Sequence, residues 1–594
     1  MSSTTFGKYQ NLPAWLPREA GSARKSKLFN LGLLFAWSYN QGEALRSFEA
    51  GVTQSNLAEA ALMHWGRAYA LGPFANRIPH DEDPGYPAFL PSHFEMASEA
   101  AQQAAKLALR EREAASSRKL FAGEDLKWVV QLTQANLHRF HPSILSPDNS
   151  GFAVRFNAAS AQYAAVLEGM GREAGSAALL AMAAETLLMP EAWAYTQDAN
   201  GHPSLDATGQ HAAALIDESL RIDPDQPLAL HLHIHLTEAG SPVKRQGNLS
   251  AIDAVQSAWK LHAATEDQPW RHMGHLMHMP SHTFIHAGLY NEAVEANLQS
   301  LHQDAADFAD CQVQPSSAHT ADTLIYAANM AGRSKLALDL ARRKQEQLDG
   351  DVARLPGNGW LVFHGQWREI LAELRPPPLN ARGICEEQGY QYAVVIYHFA
   401  MAVAHAANAE TLRYHQEDES TAVQGAQLHM SELQAAAAAI TPGRRTLPGQ
   451  GEGLYGCEYK LLTDIQVQVA SARLAQATGS YPGNFTAAEM HMRQAVELEG
   501  QLSYAMPPRQ YQPLRHCLAH ILMRAHKPQQ AEQAAREVLE LHPDNPWGLY
   551  ALLESLLKQN GTSTESGEVH ARLKHAWRGA DEPITCPCPI FVIW

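Results

Sequence analysis

Apolar residues recur at helical spacing along almost the whole chain, and the alternating runs typical of β-strands are nearly absent. Alanine-rich amphipathic segments follow one another from residue 28 to residue 558, separated by short turns with Gly, Pro, Asp or Asn. At 594 residues, the chain is longer than one hydrophobic core normally supports. The sequence therefore predicts an all-α protein made of several domains or of a repeat array.

Three parts of the chain share one internal pattern, in which a small residue lies in a first helix and an alanine in the second. The matching residues are Gly32, Phe35, Ala44 and Phe48; Ser281, Phe284, Gly288, Tyr290 and Ala293; and Ala519, Ala531 and Pro543. Small residues let paired helices approach closely, and each pair needs neighbours to bury its apolar face. The pattern resembles the tetratricopeptide repeat (TPR), a helix-turn-helix unit of about 34 residues. It predicts an α-solenoid in which TPR-like repeats form a superhelix.

Breaks in this pattern predict the organisation of the chain. A Gly- and Pro-rich stretch, PGRRTLPGQGEGLYG, is typical of a linker. The predicted segments are 1–25, a loosely ordered N-terminal segment; 26–245, N-terminal helical repeats with an inserted loop at 189–209; 246–441, central helical repeats that include HMPSH; 442–456, the linker; 457–560, C-terminal TPR-like repeats; and 561–594, a C-terminal helix and tail.

Charge and hydropathy exclude two classes of partner. The formal net charge is -16, and no block rich in Lys or Arg is present, so we expect no nucleic-acid partner. The most apolar run, residues 393–404, is shorter than the roughly 18 to 20 apolar residues that a spanning helix needs, so we expect no membrane partner. No secretory signal is visible at the N-terminus. These features predict a cytoplasmic protein.

The six cysteines are too few and too scattered to predict a disulfide framework, which favours a reduced intracellular setting. Only Cys586 and Cys588 lie close together, on either side of a proline. This pair is compatible with a soft metal ion. A lone CxC in a proline-rich tail is more often structural, and the sequence favours that interpretation.

Histidines are concentrated in the middle of the chain, where nine of the 30 lie between residues 231 and 286. In ALHLHIHLTEAG, His231, His235 and Glu238 stand at i, i+4 and i+7, which places them along one helical face. Two imidazoles one turn apart form a common chelate for divalent metals. The carboxylate one turn further on is suited to complete the coordination sphere or to act as a general base.

A second group of histidines follows in HMPSHTFIH, where His278, His282 and His286 stand at i, i+4 and i+8. Because Pro280 is best tolerated in a first helical turn, we expect this helix to begin near residue 278, which leaves His275 before it. Any single histidine on a helix is most often a satisfied polar contact. Two clusters in consecutive helical units instead predict that both hold one cation between them.

The chain also resembles a specific group of bacterial TPR proteins that carry a central HMPxHxF block. The matching stretches are 61–76, 189–201, the helix with His231, His235 and Glu238, the block 278–282, His319 in the following repeat, and 504–515. In the last stretch, Met506 and Gln510 replace a glutamate and a tryptophan of the group's pattern. This resemblance implies a fold and candidate positions. The TPR resemblance, with the repeat frame fixed by Ser281 and Ala293, implies that His275, His278, His282 and His286 line the concave wall.

These observations lead to one favoured function and two alternatives. The favoured one is a metal-dependent enzyme, with oxidation slightly preferred, that acts on a small molecule or peptide in a concave groove. Iron, copper or zinc would be held by His231, His235, Glu238, His278, His282 and His319, with Glu238 as ligand or base and Tyr511 and Arg515 orienting the substrate. The alternatives are a TPR scaffold that binds a protein or peptide partner, and a metal storage or trafficking protein.

Overall fold

The computed structural model describes most of the chain between residues 23 and 591. The described residues contain twenty-four α-helices and one short antiparallel ribbon, so the predicted all-α class is confirmed. The described ranges are 23–52, 57–82, 88–118, 124–146, 148–190, 195–197, 203–238, 240, 251–264, 268–309, 317–347, 361–377, 389–440, 458–478, 485–502, 504–510 and 513–591.

A first compact unit comprises residues 1–283, 296–320 and 448–451. Each helix from α1 to α10 packs against the next one in the chain, as helix-turn-helix repeats require. The helices are α1 Ala23–Trp37, α2 Gln41–Val52, α3 Leu57–Leu71, α4 Pro91–Arg118, α5 Glu124–Arg139, α6 Phe152–Ala174, α7 Ala177–Leu188, α8 Ala207–Ile222, α9 Pro227–Thr237, α10 Ala251–His262 and α11 Gly274–His278.

A second compact unit comprises residues 284–295, 321–447 and 452–594. Three helices belong in part to each unit: α12 Pro280–Ala287, α13 Tyr290–Ala309 and α14 Ser317–Met330. From α16 onward, consecutive helices again pack in pairs. The helices are α15 Ser334–Gln347, α16 Trp367–Glu373, α17 Gly389–Tyr414, α18 Ser420–Ala439, α19 Tyr459–Thr478, α20 Phe485–Glu499, α21 Leu514–Arg524, α22 Pro528–Leu541, α23 Pro546–Asn560 and α24 Thr564–Ala576.

The small residues of the repeat pattern permit close helix contacts. A Cβ atom at Gly32 would lie 2.6 Å from Phe48 Cε1, and one at Gly66 would also meet the Phe48 ring. Phe48 and Ala44 are fully buried. Helices α1, α2 and α3 therefore meet around one phenylalanine that only glycine neighbours can accommodate.

The structure describes part of the predicted inserted loop but little or none of the predicted N-terminal segment and linker. Strand β1 (Tyr195–Gln197) pairs with β2 (Pro203–Leu205) inside the stretch predicted as an inserted loop. Residues 1–22 and 441–457, which include most of the predicted N-terminal segment and the whole predicted linker, lie outside the described residues. The segment boundaries and the superhelix remain predictions.

Helix α17 contains a stretch longer than the sequence suggested. Gln391–Tyr414 has 24 residues and a mean hydropathy of 1.2, so by length and composition alone it is apolar enough to cross a membrane. Within the protein, 72% of the most apolar 18-residue part of this stretch is buried. The core helix of a water-soluble protein has the same character, because its apolar side chains are covered by neighbouring helices.

The expectation of unpaired cysteines is wrong for one pair. Cys517 in α21 forms a disulfide with Cys588 in the C-terminal tail, across a separation of 71 residues. Both side chains are fully buried in the core of the second unit. Spacing along the sequence could not reveal this pair, because packing of the tail brings the two residues together.

Candidate metal centre

Helix α9 supplies the first two imidazoles of the site. It begins at Pro227 and is capped by Gln226, whose side chain accepts a hydrogen bond from Ala229 N. Every residue from Pro227 to Thr237 is buried. A helix buried on all sides must satisfy its polar side chains internally. His231 and His235 share one face, whereas the Nδ1 atom of His233 pairs with Ser257 Oγ at 2.9 Å. His233 therefore points away from the face that carries His231 and His235.

Helices α11 and α12 supply three more imidazoles. His275 lies before α12, as expected, but it is itself helical, because α11 runs from Gly274 to His278 and only Met279 separates it from the start of α12 at Pro280. Pro280 interrupts the hydrogen-bond ladder without ending the helical path, since a proline takes only one donor away. As a result, His275, His278 and His282 follow one another at helical spacing.

Helix α14 adds the last imidazole, His319. Its first residue, Ser317, donates a hydrogen bond from Oγ to Asp304 Oδ2 at 2.8 Å, which ties the start of α14 to α13. His319 lies two residues further on and is partly exposed. The packing of α13 against the start of α14 thus sets its position.

The six imidazoles form two groups, which we call the first and the second triad. The first consists of His231, His235 and His275, and the second of His278, His282 and His319. In each triad, one nitrogen from every ring lies within 4.8 Å of the other two. All five histidines predicted as ligands fall into one triad or the other, with His275 as the sixth. The predicted single cation between two helices is replaced by two neighbouring groups, each of which could hold a metal ion.

The second triad has three nitrogens in close approach. His282 Nε2 lies 2.9 Å from His278 Nε2 and 3.4 Å from His319 Nε2. Two nitrogens bound to one tetrahedral metal at about 2.0–2.1 Å are separated by about 3.3 Å. The spacing of the three nitrogens is therefore close to that of a three-histidine metal site.

Glu238 connects the two triads, because it contacts the Nδ1 atom of one imidazole in each. Its Oε1 accepts a hydrogen bond from His235 Nδ1 at 2.8 Å, and its Oε2 accepts one from His282 Nδ1. The carboxylate is almost fully buried. Glu238 was expected as a ligand or a base, but this arrangement instead favours a positioning role, since both oxygens face Nδ1 atoms.

Two further acceptors hold the rings in the same way. The carbonyl oxygen of Trp37 accepts from His231 Nδ1 at 2.8 Å, and Asn297 Oδ1 accepts from His278 Nδ1 at 2.6 Å. Trp37 is the last residue of α1, where carbonyls have no partner within the helix. Because carbonyl, amide and carboxylate oxygens only accept, Nδ1 carries the proton in all four rings, and Nε2 is the nitrogen suited to bind a metal.

Burial and neighbouring charges shift the pKa values of several groups in the site. It lowers the pKa of His231, His275 and His278 well below the ordinary value, and neighbouring imidazoles lower each further. Burial alone would raise the pKa of Glu238, but His282 and His235 outweigh it and hold that pKa below its usual range. Neutral imidazoles at His231, His275 and His278, near an ionised carboxylate, are the protonation states that metal binding requires.

Tyr39 is a member of the site that the sequence did not reveal. It lies in the turn between α1 and α2 with φ at 57°, a left-handed conformation that a tyrosine seldom adopts. Its ring centroid is 4.4 Å from that of His231 and 5.2 Å from that of His275. The hydroxyl has no hydrogen-bond partner among the described residues. Burial, followed by the charges of Glu185 and Glu238, raises its pKa well above the ordinary value.

Glu185 in α7 lies in the surroundings of Tyr39. Its Oε2 accepts a hydrogen bond from the Tyr69 hydroxyl at 2.5 Å, and its Oε1 has no partner among the described residues. Burial raises the pKa of this carboxyl to about 7, against the opposing effects of Tyr69 and Arg139. The first triad therefore has a second buried acid nearby.

Other predicted residues lie elsewhere or cannot be placed. Tyr511 falls outside the described residues. Arg515 belongs to the second unit, where its guanidinium is 3.6 Å from Glu537 and 4.0 Å from Glu499. His286 also belongs to the second unit, where its ring centroid is 5.5 Å from that of Tyr504. The substrate-orienting roles of Tyr511 and Arg515 remain predictions.

Comparison with known proteins gives no assignment. No family model matches the chain, and no curated protein matches it. Among solved structures, the human IFIT1 dimer with m7Gppp-AAAA is similar at 12% identity and a TM-score of 0.23, covering 96% of this chain and 97% of that one. The APC/C hetero-tetramer Cut9-Hcn1 is similar at 10% identity and a TM-score of 0.22, covering 93% and 96%. Similarity this low carries no information about the site.

Proposed function

We propose that this protein binds a divalent transition-metal ion at each imidazole triad and uses this pair of sites as the centre of a metal-dependent enzyme. His231, His235 and His275 would hold one ion, and His278, His282 and His319 the other. Glu238 would orient His235 and His282 without contacting either metal. The two ions would supply Lewis-acid or redox chemistry, and the chain would fix their ligands in place.

One observation carries this proposal. His278 Nε2 and His282 Nε2 lie 2.9 Å apart, although each ring already uses its Nδ1 proton to donate to Asn297 or Glu238. Two nitrogen lone pairs at that distance repel each other unless a cation lies between them. Burial opposes a proton in this position, because it lowers the pKa of His278. A metal ion would supply the positive charge without a proton on His278, and the nearby His319 nitrogen supports it.

The donor set narrows the choice of metal. Imidazole suits zinc, copper, iron and nickel, whereas magnesium, calcium and manganese prefer oxygen. Catalytic non-haem iron commonly uses two histidines and one carboxylate in direct contact. Since Glu238 faces the Nδ1 atoms, copper and zinc fit the triads better than iron does. Copper would support the oxidative chemistry favoured above, and zinc would support hydrolysis.

Two features favour catalysis over storage. Structural zinc sites normally have four protein ligands, whereas three ligands leave a coordination position for water or substrate. Each triad offers three imidazoles among the described residues. His319 is partly exposed, so a small molecule or a peptide side chain would approach the second triad from its side. The unpartnered Tyr39 hydroxyl is suited to donate a hydrogen bond beside the first triad.

Elemental analysis of protein purified without a polyhistidine tag tests the metal sites. We expect about two equivalents of copper or zinc per chain in the wild type, and fewer than half an equivalent in a His235→Gln/His278→Gln double variant. His233→Gln is the matched control, because His233 is equally buried but is paired with Ser257. Sub-stoichiometric metal that the double variant leaves unchanged would refute the proposal.

A second assay separates an enzyme from a storage protein. Metal-loaded protein would be tested for oxygen consumption with ascorbate as electron donor, and for hydrolysis of p-nitrophenyl acetate. Turnover of either probe that is lost in the double variant and kept in His233→Gln supports an enzyme. Two bound metal ions without turnover of either probe favour metal storage. Peptide binding by stripped protein favours the scaffold alternative.

A further inference from the structure

Two pairs of donors of the kind that soft metals prefer lie in the second unit, where the C-terminal tail packs on α21. Cys517 and His520 lie one turn apart in α21, and Cys586 and Cys588 flank Pro587 in the tail. Cys588 is bonded to Cys517, and Cys586 Sγ lies 3.4 Å from His520 Nδ1. Each cysteine of the tail thus contacts one donor of the helix.

The surroundings are those of a built interior site. Cys517 and Cys588 are fully buried, and Cys586 is 7% exposed. The backbone N–H of Cys588 donates to Cys586 Sγ at 3.3 Å, a contact that stabilises a thiolate. Ile590 and Phe591, just beyond the tail cysteines, are buried in the same core. The tail is therefore held in place just beyond the sulfur atoms.

The donor set matches a known class of structural metal site. Three cysteines and one histidine form a common tetrahedral zinc sphere, with Zn–S near 2.3 Å and Zn–N near 2.0–2.1 Å. Those bond lengths place sulfur and nitrogen about 3.6 Å apart, close to the distance between Cys586 and His520. In sequence, the donors form a CxxH pair and a CxC pair. Such paired short spacings are typical of zinc sites.

We propose that Cys517, His520, Cys586 and Cys588 form a structural site for a soft divalent metal, best suited to zinc, when the Cys517–Cys588 disulfide is reduced. A dithiol reductant would donate two electrons and two protons, so that the S–S bond breaks and the reductant becomes a disulfide. Zinc would then bind three thiolates and one imidazole, and three thiol protons would leave to solvent. The disulfide and the zinc ion are alternative ways to fasten the tail to α21.

Electrostatics around the sulfur atoms agree with this arrangement. Burial raises the pKa of the Cys586 thiol to about 12, with Arg524 and Arg473 acting in the opposite direction. Burial also lowers the pKa of His520 to about 3, and the same two arginines lower it further. A neutral imidazole is ready to bind a metal, and a bound cation provides the positive charge that a buried thiolate needs.

Anaerobic titration with Co²⁺ tests the proposal, because cobalt bound by thiolates gives a charge-transfer absorption that cobalt bound by imidazoles alone lacks. The protein would be reduced with a phosphine, stripped of metal and titrated. We expect one equivalent of cobalt with thiolate charge transfer in the reduced form and none in the oxidised form. The histidine triads contain no sulfur, so this signal is independent of the proposed function and either proposal can fail alone.

Two variants and one control make the test specific. Cys586→Ser leaves the disulfide partners intact, and His520→Gln leaves all three cysteines intact; both should lose the tight cobalt site, whereas Cys311→Ser should bind like the wild type. Far-ultraviolet circular dichroism of the oxidised variants checks their folding. If a variant does not fold, zinc release from reduced wild-type protein upon modification of its thiols gives the same answer. Absence of thiolate charge transfer in the reduced wild type, or its persistence in both variants, would overturn the proposal.

Discussion

The two triads use the same side chain but differ in how they are held and covered. In the first, His231, His235 and His275 are all buried, and their rings pack around Tyr39. In the second, His319 is partly exposed, and Nε2 atoms approach each other directly. The first triad resembles a packed aromatic cluster, whereas the second already has the spacing of a metal site.

This difference teaches that histidine clustering alone does not define a metal site. The three rings of the first triad pack around the Tyr39 ring, with centroid distances of 4.4–5.7 Å. A metal ion bound there would have to compete with this packing. In the second triad, His278 Nε2 and His282 Nε2 instead face each other at 2.9 Å, a spacing that suits a shared cation. We therefore expect the second triad to bind more tightly and the first to be more sensitive to its neighbours.

Removing one ligand from each triad is the most severe test of this difference. His278→Gln should remove the tighter of two metal equivalents, and His231→Gln the weaker one, each with an affinity loss above the roughly 100-fold expected for supporting residues. Isothermal titration of stripped protein with Zn²⁺ would resolve the two transitions, with His233→Gln as control. If both substitutions abolish both transitions, the triads form one indivisible site.

The acid near the first triad predicts a pH effect on stability. The folded-state pKa of Glu185, about 7, exceeds the ordinary value of 4.5, so the folded protein holds this proton more tightly than the unfolded chain does. The group's contribution is present below pH 4.5 and is lost as the pH rises towards 7, by about 3 kcal/mol in total. Glu185→Gln should lose about that much less stability between pH 4.5 and 8.

Urea unfolding at several pH values measures this difference. The control is Glu173→Gln, since Glu173 is an exposed residue of the same unit that pairs with Lys127 at 3.0 Å. It should follow the wild-type pH dependence within experimental error. Parallel curves for wild type and Glu185→Gln would mean that this carboxyl titrates normally.

Replacing Glu238 tests how strongly the triads are coupled. Gln at this position can accept from only one of His235 and His282, so Glu238→Gln should weaken metal binding by about 10- to 100-fold in one or both triads. Asn297→Ala removes the acceptor of His278 alone and should weaken only the second triad, by about 10-fold. An equal effect of both substitutions on both transitions would contradict the separate supports seen here.

The smallest effect concerns the Tyr39 hydroxyl. Tyr39→Phe keeps the ring that the first triad packs against and removes a buried hydroxyl without a partner among the described residues, so it should raise the free energy of unfolding by about 1 kcal/mol. Tyr163→Phe is the opposite case, because its hydroxyl accepts a hydrogen bond from Trp65 Nε1 at 3.1 Å. That change should lower stability by about 1 kcal/mol. Equal signs would contradict the distinction.

Sequence periodicity was sufficient for the helices and for four of the six imidazoles, and the resemblance to the HMPxHxF group supplied His319. His231 and His235, like His278 and His282, were predictable because i and i+4 share a helical face. His275 was not predicted as a ligand, because the sequence does not reveal the short helix α11 that precedes α12 and carries this residue, although the TPR repeat frame places it beside His278. Grouping into triads depends on packing between helices, which spacing along the chain does not encode.

The residues that hold or surround the imidazoles could not be predicted from the sequence either, because their contacts also depend on tertiary packing. Glu238 lies three residues after His235, a spacing that suits either a ligand or a hydrogen-bond acceptor, and only coordinates distinguish them. Asn297 is distant in sequence from most of the site and carries no distinctive motif. The left-handed turn at Tyr39 has no glycine to announce it. The contact of Cys517 with the tail likewise depends on tertiary packing.

The acceptor for His231 is a main-chain oxygen, and this gives the first triad one constraint that point substitution cannot alter. Replacing the side chain of Trp37 leaves its carbonyl in place, and a carbonyl does not titrate. The tautomer of His231 is therefore fixed across the whole pH range in which α1 stays folded. Only displacing the end of that helix would release the ring, so local melting of α1, the first helix among the described residues, would also disturb the proposed metal site.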